Sequence, residues 1–390
     1  MTNELALRYG LNPHQQPARA LLAGDDSPIA VRNGAPGYIN LLDALSSWQL
    51  VRELRAVLGL PAGASFKHVS PAGAAVGLPI EDGLARAYQV DAGELSPVAC
   101  AYVRARGGDL VSAYGDIAAV SDRVDASLAA VLKREVSDGI IAPGYDDEAL
   151  AVLSAKKGGK YLVIEADPDY VPPATERREL FGVELEQPAD HAPITTDLLT
   201  NVVTSETTFP ADAQRDLLIA TIALRYTQSN SVCVAADGQV IGLGAGQQSR
   251  IHCTRLACAK ADRWMLQQHP RMLDLPFKKE LRRPDRFTAR EQVIAYAELS
   301  EPERVHLAAQ MDSPLEPLSA EERRDWIARY DNSLSHDAFI PFRDNIDRAQ
   351  ASAVCYVLQP GGSIADEGVA EAANEYGMTM AFSGLRLFRH

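Results

Sequence analysis

The sequence is poor in cysteine and has no long apolar run. Its 390 residues include five cysteines, an odd number, and no two of them have C-x-x-C spacing. This count argues against a disulfide framework and is typical of a protein in a reducing compartment. No run approaches the length of a transmembrane helix, and the first nine residues lack the basic-then-apolar pattern of a secretion signal. We therefore predict a cytoplasmic protein without a membrane partner.

Basic residues are too few to balance the acidic ones. There are 38 Lys and Arg residues against 52 Asp and Glu residues, which gives a net charge of −14. This balance argues against non-specific binding of nucleic acid, although local basic pockets could still hold small anions. The chain of 390 residues is long enough for two or three globular units, and its 46% hydrophobic and 23% charged residues are enough to give each unit its own core.

Residues 226–255 contain the densest local signals in the chain. Apolar runs at 231–235 and 239–243 flank Asp237-Gly238, a pattern that predicts a β-hairpin. Three glycines at G-x-G-x-G spacing follow, and Ser249 is expected to cap a helix that carries Arg250 and Arg255. Such a helix start can bind an anion, but the same residues fit a structural glycine turn with surface arginines equally well. The glycine spacing is not the dinucleotide-binding fingerprint.

Short apolar runs alternate with helical patterns, which favours an α/β fold. The clearest helix has apolar residues at helical spacing from an expected N-cap at Asn40 to Gly59, and its Trp48 is expected in the core. The remaining predicted strands are 64–69, 118–120, 139–142, 161–164, 354–358 and 378–382, and the remaining predicted helices are 126–136, 212–226 and 365–376.

Composition also suggests how the chain is divided. Residues 166–200 are rich in proline and charge and indicate a connection, whereas residues 267–333 are charged and helical in character. A strand, glycine loop and helix recur at 239–256 and 354–376, which indicates related subdomains. We predict a first α/β subdomain over 1–200, a second over 201–266 and 334–390, and a smaller, mainly helical subdomain over 267–333.

Lys67 and His68 stand at the exit of the predicted strand 64–69. Successive strand residues point to opposite faces, so both side chains reach one pocket only if the backbone bends. Taken alone, the pair is better explained as a buried histidine beside a lysine whose ammonium reaches solvent.

Several longer strings carry a family resemblance along nearly the whole chain. They are Arg8-Tyr9-Gly-Leu-Asn-Pro-His-Gln, Phe66-Lys67-His68-Val-Ser-Pro-Ala-Gly, Ser137-Asp138-Gly-Ile-Ile-Ala-Pro-Gly, the stretch 226–255, Asp337-Ala-Phe339-Ile-Pro-Phe-Arg-Asp344-Asn and Leu385-Arg386-Leu-Phe. With these strings the sequence resembles the transformylase half of the bifunctional purine-biosynthesis enzymes. That half formylates 5-aminoimidazole-4-carboxamide ribonucleotide (AICAR) with 10-formyltetrahydrofolate.

The resemblance implies a role for each matching position. It makes His68 the proton acceptor and Lys67 the group that stabilises the transition state. The positions implied to hold the ribonucleotide are Arg8, Tyr9, Gly115, Asp138, Asn230, Arg250, Phe339 and Arg386. The positions implied to contact the folate are Ile251, Asp344, Ser363 and Ile364, of which Ile364 departs from the small residue expected there.

The resemblance further implies a fold and an assembly. The expected fold is a pair of related, cytidine-deaminase-like α/β subdomains with an additional smaller one. The expected assembly is a homodimer with sites at the subunit interface, and the family allows a structural monovalent cation. Because only seven residues precede Arg8, we expect no room for the cyclohydrolase domain of the bifunctional enzymes, and hence a separate IMP cyclohydrolase.

The residue types suit this chemistry. The AICAR amine is a weak nucleophile, so its attack on a formyl carbon needs a base that works near neutral pH, such as His68. A lysine beside that base can stabilise the oxyanion or protonate the departing folate nitrogen, and arginines suit the phosphate.

Two other function classes compete with this one. A zinc deaminase would need H-x-E and P-C-x-x-C, and both are missing from the sequence, so we expect no zinc. A nucleotide-binding regulator would keep the arginines and lose the base or the lysine, whereas Lys67, His68 and Asn230 are all present.

Overall fold

The computed structural model describes residues 3–22 and 27–390, and it contains fifteen strands and thirteen α-helices in that part of the chain. The strands are β1 (Asn3–Leu7), β2 (Ala18–Leu22), β3 (Ile29–Asn33), β4 (Ala62–Lys67), β5 (Ser70–Val76), β6 (Asp116–Val120), β7 (Ser137–Ala142), β8 (Leu162–Ala166), β9 (Thr175–Leu180), β10 (Val183–Pro188), β11 (Val232–Ala236), β12 (Gln239–Gly244), β13 (Asn332–His336), β14 (Val354–Gln359) and β15 (Thr379–Phe382). The helices are α1 (Tyr38–Leu58), α2 (Asp82–Tyr88), α3 (Pro97–Gly107), α4 (Ala126–Arg134), α5 (Asp147–Ala155), α6 (Ala211–Arg225), α7 (Arg250–Gln267), α8 (Pro270–Leu273), α9 (Arg283–Ile294), α10 (Glu301–Ala308), α11 (Ala320–Ile327), α12 (Asp344–Gln350) and α13 (Asp366–Glu375).

Eleven strands form one mixed sheet in the order β15-β14-β13-β11-β12-β5-β4-β6-β7-β8-β3. The α/β prediction is therefore confirmed. Strands β1 and β2 form a separate hairpin, as do β9 and β10. Helices α1 and α6 contribute to the core on one face of the sheet, while α3, α4 and α7 contribute to the core on the other face. Because both faces are covered, central strands such as β6, β11 and β12 are buried along their whole length.

The two halves of the sheet follow the same order of elements. In the first half, α1, the hairpin β4–β5 and α3 are followed by the parallel strands β6, β7 and β8. In the second half, α6, the hairpin β11–β12 and α7 are followed by the parallel strands β13, β14 and β15. Helices α8 to α11 are an insertion between α7 and β13. The predicted boundary near residue 200 stays a prediction.

The halves join where β5 and β12 lie side by side and antiparallel, with Ala75 opposite Gln239. This arrangement places the turn of the β4–β5 hairpin and the turn of the β11–β12 hairpin at opposite edges of the sheet, that is, at opposite ends of its strands. The two hairpins therefore face different surroundings although they have the same place in the order of elements.

Helix α1 begins earlier than predicted. Gly37, not Asn40, is its N-cap, and the Asn40 side chain lies in the first turn, where Oδ1 accepts the Gly37 N–H at 3.0 Å. The predicted C-terminal end is confirmed, because Gly59 takes a left-handed conformation with φ 69°. Trp48 lies in the core, as predicted.

The prediction for residues 64–73 was wrong in part. The predicted strand 64–69 ends at Lys67 as β4, and Ser70-Pro71-Ala72-Gly73 begins a second strand, β5, which was not predicted. These turn-forming residues are in a strand because α3 packs very closely on β5, and a Cβ atom at Gly73 would lie 2.0 Å from the Ala105 carbonyl oxygen.

The prediction for residues 166–200 also missed structure. This connection contains the hairpin β9–β10, in which every residue is exposed. Strand β13 was not predicted either, because its sequence Asn-Ser-Leu-Ser-His is mostly polar although all five residues are buried.

The segment 201–204 lies along the outer edge of β15. The Val203 N–H donates to the Met380 carbonyl at 2.9 Å, and the Phe382 N–H donates to the Asn201 carbonyl at 3.0 Å. The edge strand of the second half therefore has backbone partners on both sides.

All five cysteines are free thiols, and four of them are buried. Across residues 3–22 and 27–390, no helix has the length and apolar character needed to span a membrane.

Candidate active site

Strand directions bring most of the predicted site residues to one edge of the sheet. Strand β4 ends at this edge, and its antiparallel neighbour β6 begins there. Strand β12 ends beside the start of β5, and β13 ends beside the start of β11. The edge carries two groups of predicted residues, a first cluster of Lys67, His68, Gly115 and Asp138, and a second cluster of Asn230, Arg250, Ile251, Phe339, Asp344, Ser363, Ile364 and Arg386.

The first cluster combines a cation, an imidazole and a carboxylate. The Lys67 ammonium donates to the Tyr114 carbonyl at 2.7 Å, which holds it beside Gly115. Gly115 has φ 78°, and a Cβ atom there would meet the Asp138 carboxylate at 3.8 Å. The other oxygen of Asp138 pairs with the ammonium of Lys157 at 2.5 Å. Lys67, Gly115 and Asp138 are therefore neighbours in space.

His68 lies on a sharp reversal of the chain. His68 and Val69 both have left-handed backbones, with φ 54° and 58°, so β4 does not continue through them. This bend is the one that both side chains need in order to reach one pocket. Because of it, Lys67 and His68 need not point to opposite faces of the sheet. A β-branched residue such as Val69 is strained in this conformation, at a cost of about 1–3 kcal/mol.

The sequence did not predict a role for Asp43 of α1, which holds this reversal. Its Oδ1 accepts the Val69 N–H at 2.6 Å, and the side chain is buried. Burial raises the pKa of the Asp43 carboxyl, and the Val69 N–H and the nearby His68 imidazole oppose that rise. The available signal was a carboxylate on the face of a helix that packs against the core.

A buried ionic network lies behind the first cluster. Asp116 accepts the Ser65 hydroxyl at 2.6 Å and pairs with Arg106 at 2.9 Å. Arg106 also pairs with Glu135 at 3.0 Å, and Arg283 of the helical insertion reaches the same Glu135 at 2.6 Å. The Arg283–Glu135 ion pair therefore connects the insertion to the ionic network behind the first cluster.

The second cluster is organised around Arg250 and Asp337. Both side chains are buried, and a guanidinium nitrogen of Arg250 donates to an Asp337 carboxylate oxygen. The second terminal nitrogen of Arg250 donates to Asn230 Oδ1 at 2.8 Å. The other carboxylate oxygen of Asp337 accepts the Ser229 hydroxyl at 2.6 Å and the Ser231 N–H at 2.8 Å. Much of the guanidinium is thus engaged inside the protein, and it fixes Asn230.

Hydrogen bonds hold the segments that carry Asp344, Ser363 and Ile364, three of the predicted folate residues. Thr254, one turn after Arg250, donates to Asn345 Oδ1 at 2.7 Å, and Asn345 donates to the Asp344 carboxylate at 2.9 Å. The Gln359 side-chain oxygen accepts the Ile340 N–H at 3.2 Å and the Gly361 N–H at 3.0 Å. That amide joins the segment of Phe339 to the loop that carries Ser363 and Ile364. The side chains of Phe339 and Ile364 are exposed, so both segments present apolar surface.

Arg8 and Tyr9 lie outside the main sheet, at the end of β1. Arg8 donates to the Tyr9 hydroxyl at 3.1 Å, and its guanidinium lies 4.8 Å from the centre of the Tyr9 ring. Both are on the β1–β2 hairpin, and Arg8 is exposed.

The two clusters do not coincide within the chain. Lys67 and Asn230 adjoin β4 and β11, which are three strand spacings apart in the sheet, or about 14 Å at the usual distance between strands. One edge thus carries two separate clusters.

His336 is a buried group that the sequence did not single out. It lies near Arg250 at the end of β13, and in the described part of the chain neither ring nitrogen has a hydrogen-bond partner. Burial, reinforced by the Arg250 charge, holds the pKa of the His336 imidazole well below its usual range. The imidazole is therefore neutral in the native protein.

This burial predicts a pH dependence of stability. Below pH about 6.5 the unfolded chain takes up a proton at His336 that the native protein does not, so stability is present above that pH and falls below it. Between about pH 7.5 and about pH 5, we expect the His336→Ser variant to lose less free energy of unfolding than the wild type, by up to roughly 2 kcal/mol. Urea unfolding of both proteins at the two pH values measures this. Equal losses in both proteins would contradict it.

Comparison with known proteins places the chain in a family. The model of the AICARFT/IMPCHase bienzyme family matches residues 1–260, which include the whole first cluster and Asn230, Arg250 and Ile251. The chain belongs to this family. Among the described residues, no three or more His, Cys, Asp or Glu side chains are grouped so that they could hold a metal ion.

Curated relatives match the rest of the chain as well. The Bifunctional purine biosynthesis protein PurH of Mesorhizobium japonicum is 32% identical over 389 residues, which cover 98% of this chain and 58% of that protein. The proteins of the same name from Ruegeria pomeroyi and Xylella fastidiosa are 30% and 31% identical, each over 98% of this chain and over 59% and 58% of their own lengths. The chain thus spans about three-fifths of the length of these relatives.

Proposed function

We propose that this protein transfers the formyl group of 10-formyltetrahydrofolate to the 5-amino group of AICAR, the formylation step of purine biosynthesis. The observation that carries the proposal is the first cluster. It sets a histidine on a left-handed turn directly after a lysine that is hydrogen-bonded beside Gly115 and Asp138. The family match and the names of the bifunctional relatives support the same reaction class.

The residues of the first cluster fit the steps of this transfer. The amine nitrogen attacks the formyl carbon and must lose a proton, which the His68 imidazole accepts. Negative charge then develops on the formyl oxygen, and the Lys67 ammonium is the group placed to stabilise it. The carbon–nitrogen bond to the folate breaks, and the folate nitrogen leaves with a proton as tetrahydrofolate.

The second cluster and the β1 hairpin fit the binding of the two substrates. Arg386 and Arg8 are exposed cations and can pair with a phosphate, while Asn230 is held in place by Arg250. The exposed side chains of Phe339 and Ile364 suit the flat rings of a folate, and the Asp344 carboxylate can accept its ring N–H groups. We also propose that each half of the sheet is a cytidine-deaminase-like subdomain, since both halves share one topology.

We further propose that the protein works as a homodimer. The two clusters lie about 14 Å apart along one edge, so within one chain the proposed catalytic pair is separated from the residues that we propose bind the substrates. A second chain in the opposite direction would place its second cluster against the first cluster of its partner. The start of α1, near Asp43, carries a row of exposed apolar side chains that such a contact would cover, namely Tyr38, Ile39, Leu42 and Leu45.

Product analysis tests the proposed reaction. Purified protein is incubated with AICAR and 10-formyltetrahydrofolate, and in parallel with AICAR, formate and ATP. We expect formylated ribonucleotide and tetrahydrofolate in equal amounts from the folate reaction. Chromatography of the products also shows whether any of the ribonucleotide is cyclised to inosine monophosphate. Turnover with formate and ATP alone would contradict the folate assignment, and no turnover with either donor would contradict the function.

A further inference from the structure

We propose that Asp43 is a positioning residue for the formyl transfer, because it holds the left-handed turn that aims His68. The inference rests on the proposed function. Asp43 does not act on the substrate in this view. It accepts the backbone N–H of Val69, the second residue of the turn, at 2.6 Å.

The duplicated topology shows that this contact is a recurring device of the fold. Asp43 is the sixth residue of α1, and Asp216 is the sixth residue of α6, the helix with the same place in the second half. Asp216 accepts the N–H of Gly238 at 2.8 Å, and Gly238 is the second residue of the β11–β12 turn. Both carboxylates are buried, with 4% and 5% of their surface exposed. Each half therefore uses a buried helix carboxylate to hold its hairpin turn.

The two turns differ in how much they need that support. Asp237 and Gly238 have φ 49° and 76°, and Asp-Gly is among the sequences that adopt such a turn most readily. His68 and Val69 have φ 54° and 58°, although valine disfavours a positive φ. Nothing in the sequence of the first turn favours its geometry. The Asp43 contact therefore matters more to the first turn than the Asp216 contact does to the second.

The position of His68 links this contact to catalysis. Lys67 pairs with Ser70 across the hairpin, so His68 and Val69 are the entire connection between β4 and β5. A change in the backbone of Val69 must therefore move the His68 ring relative to Lys67. The Asp43 carboxyl also lies close to His68, which opposes the effect of burial that raises the pKa of that carboxyl.

Three variants separate positioning from general support of the fold. Asp43→Ala removes the acceptor, Asp43→Asn keeps an oxygen at the same place, and Asp216→Ala removes the matching acceptor at the opposite edge of the sheet. We expect Asp43→Ala to lower kcat about 10²-fold with little change in the Kd for AICAR, because a small misplacement of a catalytic group has that effect. Asp43→Asn should recover most of the loss, and Asp216→Ala should keep the wild-type kcat.

Other outcomes overturn the proposal. Equal effects of Asp43→Ala and Asp216→Ala on kcat would make Asp43 a support of the fold only, and so would a loss of AICAR affinity as large as the loss of kcat. If Asp43→Ala does not fold, Val69→Gly decides, since glycine relaxes the turn without strain. A lower kcat at an unchanged Tm supports positioning, and an unchanged kcat refutes it.

Failure of the proposed function can be told apart from failure of this inference. Wild-type turnover is measured first, and its absence refutes the proposed function. The His68 ring signals in NMR spectra, assigned with His68→Gln, then test Asp43 without any assay. The chemical shifts of these signals should change in Asp43→Ala and stay the same in Asp216→Ala. Unchanged chemical shifts in both variants would refute the inference.

Discussion

Replacing His68 with alanine is expected to lower the rate of formyl transfer about 10³-fold, the typical contribution of a general base. The AICAR amine must lose its proton as the new bond to the formyl carbon forms, and our proposal makes His68, on the turn after β4 and next to Lys67, the base that accepts it. An interaction made only in the transition state affects kcat, so the Kd for AICAR should change by no more than about threefold. Single-turnover kinetics and calorimetric titration with AICAR measure the two quantities separately.

Two further variants control this result. Lys67→Ala should also lower kcat strongly, because it removes the cation placed for the developing oxyanion. His306→Ala, on the exposed side of α10, should behave as wild type. If His68→Ala instead loses affinity and keeps kcat, the histidine binds substrate and is not the base.

Mixing two inactive variants should restore activity if the site is built from two chains. Lys67→Ala damages the first cluster and Arg386→Ala damages the second. Random exchange makes half of the dimers mixed, and each mixed dimer then carries one intact site, so roughly a quarter of the wild-type rate should return. Arg386 is the better partner for this test than Arg250. Arg386 is exposed, whereas truncation of Arg250 would leave the Asp337 carboxylate buried without its ion pair.

Subunit exchange has to be shown in the same mixture. Mass spectrometry of isotope-labelled and unlabelled chains reports it directly. A matched mixture of Lys67→Ala with His68→Ala should stay inactive, because both lesions fall in the first cluster. No recovery in the Lys67→Ala and Arg386→Ala mixture, despite proven exchange, would mean that each site is built within one chain.

Local signals in the sequence predicted some elements well. Asp237-Gly238 between apolar runs predicted the β11–β12 hairpin, and helical spacing up to Gly59 predicted α1, because turn type and amphipathicity are encoded in neighbouring residues. Strand β5 was missed because it contains small and turn-forming residues. The close packing of α3, which is distant in sequence, leaves room only for such small side chains. The exposed hairpin β9–β10 has no buried face, and so it leaves no apolar alternation to detect.

The candidate site was predicted from resemblance and not from local pattern. Lys67 and Asp138 are far apart in the sequence, and they meet because β4 ends where β6 and β7 begin. The order and register of these strands depend on the whole sheet and cannot be predicted from any one segment. Asp43 was missed for the same reason, since its partner Val69 is identified only once α1 lies against the hairpin.

The segment 201–204 has a consequence for how the protein behaves at high concentration. A bare edge strand exposes a row of N–H and carbonyl groups on which another molecule can add its own strand, and this is a common route to aggregation. Here the chain itself takes that place along β15 through Asn201 and Val203. The link between the two halves therefore also closes one end of the sheet to intermolecular pairing. Loss of this segment would expose the outer N–H and carbonyl groups of β15 to a strand of another molecule.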